Sequence, residues 1–277
     1  MLGTDVCRAF LAGNHEVTPV TSADFDIADT TATRLAIMAV RPEIVVHTAA
    51  YTDVDGCERD PDSAYRINAI GTWNVATASA EARATLVHIS TDYVFDGEKG
   101  TPYIEFDKPN PLGVYGASKL AAEDLARQAC PKHYIIRSSW LFGPNGKCFP
   151  KVILRLAETK KEIAVVADQI GMPTYTPDLA DAIIELLTTP LYGLYHITNT
   201  GSCSWHQLAE AVLMEAGRSD IVLNPIRSVD WPSPTRRPKY SVLRNYAREL
   251  RGMAPLRPWQ EGLKDFMNAI KQTQSAS

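Results

Sequence analysis

Short β-branched apolar runs alternate, along the first half of the chain, with longer stretches whose apolar residues recur every three or four positions. That alternation constrains the fold more than any other feature. Ile44-Val45-Val46-His47-Thr48-Ala49 is a continuous apolar run of the length expected for a strand buried on both faces. Leu86-Val87-His88-Ile89-Ser90 and Tyr134-Ile135-Ile136-Arg137 share its character, and residues 15–20 form a shorter candidate. Between these runs, residues 30–39, 63–81 and 114–128 carry the helical period. Strand then helix, repeated, implies right-handed crossovers and an α/β, doubly wound parallel sheet with helices on both sides. Ligands then bind beyond the carboxyl ends of the strands.

After about residue 140 the pattern loosens, with Gly143-Pro144-Asn145-Gly146 and a proline-rich stretch over 225–238. We expect a cofactor-binding domain over 1–140 and, over 141–277, a smaller lobe for substrate with some segments returning to the first domain. Helices are expected at 177–187, 204–216 and 258–270, the middle one capped by Ser204. A net charge of -4 without a Lys/Arg cluster gives no reason to expect a nucleic-acid or anionic-membrane partner. The five cysteines are scattered with no Cys-x-x-Cys pair and read as reduced thiols rather than zinc ligands. No apolar run approaches the roughly 20 residues of a membrane helix and no leader pattern is present, so the expected compartment is the cytoplasm.

The chain opens Met1-Leu2-Gly3-Thr4-Asp5-Val6 and runs straight into a helical pattern that ends near Gly13. A dinucleotide-binding fold places a buried strand and a Gly-rich turn ahead of such a helix, because the backbone must approach a pyrophosphate at the helix N-terminus. Gly3 fits the last glycine of that turn. The chain therefore reads as shortened by roughly ten residues, with the first strand and most of the Gly-rich turn missing.

Tyr115-Gly116-Ala117-Ser118-Lys119 carries the strongest chemical signal. A spacing of four puts phenol and ammonium on one helical face, where a cation could make the phenol a usable acid. Tyr-x-x-x-Lys alone also fits a half-buried tyrosine beside a solvated lysine. Context comes from Ser90-Thr91-Asp92-Tyr93-Val94-Phe95-Asp96-Gly97, directly after an apolar strand, where Thr91 could hydrogen-bond a carbonyl oxygen as charge develops on it. Ala49-Ala50-Tyr51 ends another strand with residues small enough to pass close to a flat cofactor. Asn68 either reaches the site or braces a helix kink, and the sequence does not choose between the two.

Those segments, with Arg137-Ser138-Ser139-Trp140, Asp168-Gln169-Ile170-Gly171-Met172-Pro173-Thr174 and Arg237-Pro238-Lys239-Tyr240-Ser241, resemble the dTDP-4-dehydrorhamnose reductases, a family of extended short-chain dehydrogenases. The resemblance spans nearly the whole chain. It implies a Rossmann domain, a nicotinamide cofactor and reduction of a dTDP-linked 4-keto-6-deoxy sugar, dTDP-4-dehydro-L-rhamnose, to dTDP-L-rhamnose. It also implies roles: Tyr115 as proton donor, Lys119 as the residue orienting it and holding the nicotinamide ribose, and Thr91 as the carbonyl-polarising hydroxyl. Thr91, Asp92 and Trp140 match substrate contacts, while Gly3, Asp26, Ile27, Ala49, Ala50 and Tyr51, with Tyr115 and Lys119, match cofactor contacts. For Trp140 the plain alternative is a core aromatic.

Thr21-Ser22-Ala23-Asp24 offers hydroxyls with no clear ribose-gripping acid at a strand tip, which leans toward NADPH over NADH, and Asp24 is the residue that could reverse the lean. Some members of the family join two subunits through a metal held by glutamates near the N-terminus; Leu2 stands there in this chain, so no metal site is expected and a role for magnesium is left open. The expected assembly is a monomer or homodimer. Two other functions compete. A nucleotide-sugar epimerase or dehydratase would use the same tyrosine but regenerate its cofactor, and a dehydratase usually carries a glutamate directly after the aspartate, where this chain has Tyr93. A non-catalytic regulatory subunit like the methionine adenosyltransferase β subunit would keep the fold without turnover.

Overall fold

The computed structural model describes residues 1–275. The elements follow in chain order: α1 (Leu2–Ala12), α2 (Thr30–Val40), β1 (Ile44–His47), α3 (Val54–Arg59) and α4 (Pro61–Tyr65). A π-helical turn (Arg66–Ile70) then leads into α5 (Gly71–Glu81), β2 (Thr85–Thr91), a 3-10 turn (Asp92–Val94), α6 (Val114–Ala129) and β3 (His133–Ser138). The remainder comprises β4 (Leu141–Phe142), α7 (Phe149–Thr159), β5 (Glu162–Val166), β6 (Ile170–Gly171), β7 (Thr174–Tyr175), α8 (Thr176–Leu187), β8 (Gly193–His196), β9 (Cys203–Ser204), α9 (Trp205–Glu215), β10 (Val222–Ile226), α10 (Tyr246–Leu250) and α11 (Trp259–Ser275).

The central sheet has the order β1-β2-β3-β8, and every pair in it is parallel. Register sets Val45 opposite Leu86, His47 opposite His88, and Thr91 opposite Ser138, so the carboxyl ends of β1, β2 and β3 open at one edge. Alternation along the strands divides the core. Val87, Ile89, Tyr134 and Ile136 face α1 and α8 through Leu2, Val6, Phe10, Leu179 and Ile183. Leu86 and Ile135 face the opposite layer, with Val75 of α5 and Ala126 of α6. A separate apolar cluster joins Ile153 of α7, Ile163 and Val165 of β5, Leu208 and Val212 of α9, and Leu263 and Phe266 of α11.

Two strand expectations change. Residues 15–20 are mostly exposed and form no strand, because a strand exists only by pairing and this segment pairs with nothing among the described residues. β1 is half-buried rather than covered on both faces, with only His47 buried, and it pairs on one side, with β2. The helix expected over 63–81 starts earlier, at Pro61, where Asp60 caps its first turn, and carries the π turn in its middle. Ser204 caps α9 as expected and completes a capping box with Gln207. The carboxylate of Asp5 ties α1 to the segment it packs against, accepting from Thr176 Oγ1 (2.6 Å) and Asn145 Nδ2 (2.9 Å).

Candidate active site

Thr91 ends β2 in extended conformation, its hydroxyl accepting from the Tyr93 N–H (3.2 Å) and donating to Asp92 Oδ1 (3.1 Å). Tyr115 stands in the first turn of α6. That turn is pressed against the turn after β2 because residue 116 is glycine; a Cβ there would lie 2.9 Å from the Tyr93 carbonyl carbon. The helix start has no side-chain cap of its own. Glu58 of α3 replaces it, accepting from the Val114 N–H (2.7 Å) and setting a carboxylate at the positive end of the helix. Thr91 and Tyr115, 24 positions apart in the sequence, are thereby brought side by side.

Burial pushes the Tyr115 phenol above its ordinary range, with the Thr91 hydroxyl acting in the opposite direction as a hydrogen-bond partner and Asp92 and Tyr93 reinforcing the rise. The phenol thus enters the site protonated, as an acid. Lys119, expected from its spacing to lower this value, turns its ammonium to the sheet instead, donating to the Ile89 carbonyl (2.6 Å) and lying 3.4 Å from His88 Nε2. Burial brings Lys119 itself down to about 8, partly offset by Glu123.

Beneath the helix runs a buried polar seam that sequence reasoning missed. His47 and His88 stack with ring centroids 5.4 Å apart, and His47 Nε2 meets Thr72 Oγ1 at 3.1 Å. Thr72 donates onward to the Asn68 carbonyl (2.6 Å). Asn68, placed by the π turn, accepts from the Tyr51 N–H (2.7 Å) and donates to Ser118 Oγ (3.0 Å) and the Tyr51 carbonyl (3.2 Å). Its amide joins the segment after β1 to α6. Further along, the guanidinium of Arg137 grips the Glu123 carboxylate through two bonds (2.8 and 2.7 Å), and Ser90 Oγ donates to the same carboxylate (2.5 Å).

At the mouth, Asp92 is buried and lifted to about 6 by burial, against hydrogen bonds from Ser241 and Thr91. Tyr93 stands edge-on to Tyr115 (5.7 Å between centroids) and bonds Arg237, whose guanidinium also reaches Asp55 (3.0 Å) and Ser233 (2.6 Å). The segment 233–241 therefore closes over the site from far along the chain. Trp140 is half-buried, in left-handed conformation at φ 46°, with its indole over Gly171 and stacked on Trp205 at 3.5 Å and 7°.

The expected cofactor side fits a flat, extended group. Ala49 is exposed, Ala50 and Tyr51 are half-buried, and all three follow β1 at the same sheet edge as Thr91. Gly3 lies against this edge: a Cβ there would stand 2.9 Å from Thr48 Oγ1. Asp26 and Ile27 lie on a separate loop. Asp26 pairs with Arg66 (2.7 Å), while the Ile27 carbonyl accepts from Thr33 (3.0 Å) and Asn74 (2.9 Å). Asp24 is engaged by Thr21 N and Oγ1 (2.7 and 3.0 Å) within its own turn. Among the described residues no three His, Cys, Asp or Glu side chains converge as a metal site, and no helix is long and apolar enough to cross a membrane.

A family model described as the RmlD substrate binding domain matches residues 1–272. The chain is 43% identical to the spore coat polysaccharide biosynthesis protein SpsK of Bacillus subtilis, over 96% of this chain and 93% of that protein. It is 37% identical to the dTDP-4-dehydrorhamnose reductase of Escherichia coli, over 98% and 95% respectively. The crystal structure of dTDP-4-dehydrorhamnose reductase from Bacillus anthracis in complex with NADP superposes with a TM-score of 0.93 at 41% identity, covering 96% of this chain and 94% of that one.

Proposed function

This chain belongs to the RmlD substrate-binding-domain family, and from that premise we propose that it reduces dTDP-4-dehydro-L-rhamnose to dTDP-L-rhamnose with Thr91, Tyr115 and Lys119 as its catalytic set. The chain is an oxidoreductase that uses a nicotinamide cofactor. The observation that carries the residue assignment is the convergence of a threonine hydroxyl and a protonated phenol at the open edge of the sheet, with a buried ammonium one helical turn below. Thr91 polarises the C4 carbonyl, and Tyr115 passes its proton to the C4 oxygen as negative charge forms there. Lys119 orients Tyr115 from one helical turn away and, with it, would hold the nicotinamide ribose. Asp92 and Trp140 contact the sugar.

Gly3, Asp26, Ile27, Ala49, Ala50 and Tyr51 would hold the dinucleotide, which supplies the hydride when bound. NADPH is the preferred form: Asp24, the acid that could grip a bare ribose, is engaged by Thr21 within its own turn. Residues 1–140 serve mainly the cofactor and 141–277 mainly the substrate; the separate apolar cluster of α7, β5, α9 and α11 supports that division, with α8 and β8 returning to the central sheet.

The test is stoichiometry. With dTDP-4-dehydro-L-rhamnose, nicotinamide absorbance should fall one for one with product formed. Conversion to a different sugar nucleotide at the same oxidation level, with no net loss of reduced cofactor, would favour an epimerase or dehydratase. No turnover at all would favour a regulatory subunit.

A further inference from the structure

Resting on the reductase reading above, we propose that His88 is a positioning residue for Lys119: its neutral imidazole accepts a hydrogen bond from the ammonium and, with the Ile89 carbonyl, holds that charge against the sheet one helical turn from Tyr115. His88 occupies the middle of β2 and is fully buried. Its Nε2 lies 3.4 Å from Lys119 Nζ. An ammonium has only hydrogens to offer, so Nε2 must be bare and the ring proton must sit on Nδ1. Nδ1 has no hydrogen-bond partner, which is the cost of presenting the other nitrogen to Lys119.

The groups facing this pair define its charge state. From β1 comes His47, stacked on His88 and held neutral, near 3, by burial and by Lys119. From α6 comes Glu123, clamped by Arg137 of β3. Asn68, Thr72, Ser90 and Ser118, all buried and neutral, bond His47, Glu123 or one another within the same seam. Burial, Lys119 and His47 hold His88 well below its ordinary value, so the imidazole is an acceptor throughout the neutral range. Lys119, brought to about 8, is only modestly secure as a cation at neutral pH. An acceptor for one of its N–H bonds favours the charged form; its loss should make the ammonium give up its proton at lower pH.

The experiment is a titration of lysine side chains by NMR in carbon-13 lysine-labelled protein, the Lys119 signal being assigned by its disappearance in Lys119→Gln. The wild-type midpoint should fall near 8. In His88→Phe it should move down by about one pH unit, the worth of one hydrogen bond to a charged group. In His88→Gln, whose side-chain oxygen can accept, it should stay near wild type. His47→Phe keeps a stacked ring but touches no ammonium, so the midpoint should hold there too. The alkaline limb of kcat should follow the same order, with KM for the sugar nucleotide unchanged.

A folded His88→Phe protein titrating with the wild type overturns the proposal. So does a His47→Phe protein that moves Lys119 as far, since burial of the seam rather than the bond would then be responsible. Should the phenylalanine variant not fold, His88→Met carries the same expectation. The NMR midpoint is read without turnover, so an inactive wild type would sink the reductase reading and leave this one standing or falling on its own.

Discussion

On one face of the central sheet, Val87 and Ile89 of β2 and Tyr134 and Ile136 of β3 meet Leu2, Val6, Leu179 and Ile183; on the other, His88, Ser90 and Arg137 of the same strands meet Lys119 and Glu123. The first face is an ordinary apolar core. The second, beyond the apolar patch of Leu86 and Ile135, buries a bidentate ion pair, two imidazoles, an ammonium and several hydroxyls, and leaves His88 Nδ1 and Arg137 Nη1 without hydrogen-bond partners. Burying charges is repaid only when they are well paired, and apolar residues of similar volume often stabilise as well or better. A polar face of this kind therefore points to a use beyond cohesion. Here it lies under the helix that presents Tyr115. The contrast teaches that one face serves stability and the other trades stability for control of charge near the site.

The largest expected effect sharpens that division. Tyr115→Phe removes one oxygen at the edge of the polar layer, and the loss of a general acid should lower kcat by about 10²–10⁴-fold. Urea unfolding of the same protein should match wild type. A Tyr115→Phe variant with normal turnover would break the site assignment at its centre.

Next is the ion pair. Glu123→Gln keeps the shape but leaves the Arg137 guanidinium buried beside a neutral amide, and breaking a buried pair from one side costs about 3–5 kcal/mol. The unfolding midpoint in urea should fall accordingly. On the opposite face, Leu179→Ala opens a cavity among α1, α8 and the sheet and should cost about 2–5 kcal/mol. The two variants must differ in activity, measured at a temperature where both are folded. Glu123→Gln also withdraws the charge that supports the Lys119 ammonium and should move the alkaline limb of kcat to lower pH, whereas Leu179→Ala should leave the pH profile alone. Identical profiles would erase the distinction between the faces.

The sequence made the apolar face easy to read and the polar one hard, for a physical reason. Hydrophobic periodicity reports burial, and it located β2, β3, α6 and α8 to within a residue or two. His47 and His88 sit inside apolar runs and look like interruptions; only the register that sets them opposite one another shows that they form a stack. Residues 15–20 had strand composition but pairing is a property of neighbours, which no local pattern contains. The spacing of Tyr115 and Lys119 did announce a shared helical face, yet it could not say which way a four-carbon stem bends, and the stem bends to Ile89. Arg237 reaches Asp55 and Tyr93 across most of the chain, beyond any local motif. For Trp140 the sequence leaves a substrate contact and a core aromatic side by side, and its stacking on Trp205 lies beyond any local pattern.

The smallest effect tests the border between the two regimes, at Asp92. Its carboxyl sits near 6 in the folded protein, above an ordinary aspartate, because burial disfavours the charged form. Between about 4 and 6 the folded state therefore binds more protons than the unfolded one, so this residue's contribution to stability is full below that window and is lost as pH rises through 6. Above pH 6 the ionised carboxylate is a burden, on the order of 3 kcal/mol for a shift of this size. Asp92→Asn should thus be more stable than wild type by about that amount at pH 8, with the gap closing as pH falls toward 4. Urea unfolding at several pH values reads it directly. A gap independent of pH would mean that packing, not charge, separates the two proteins, while weaker binding of the sugar nucleotide in the more stable variant would show what the buried carboxylate is kept for.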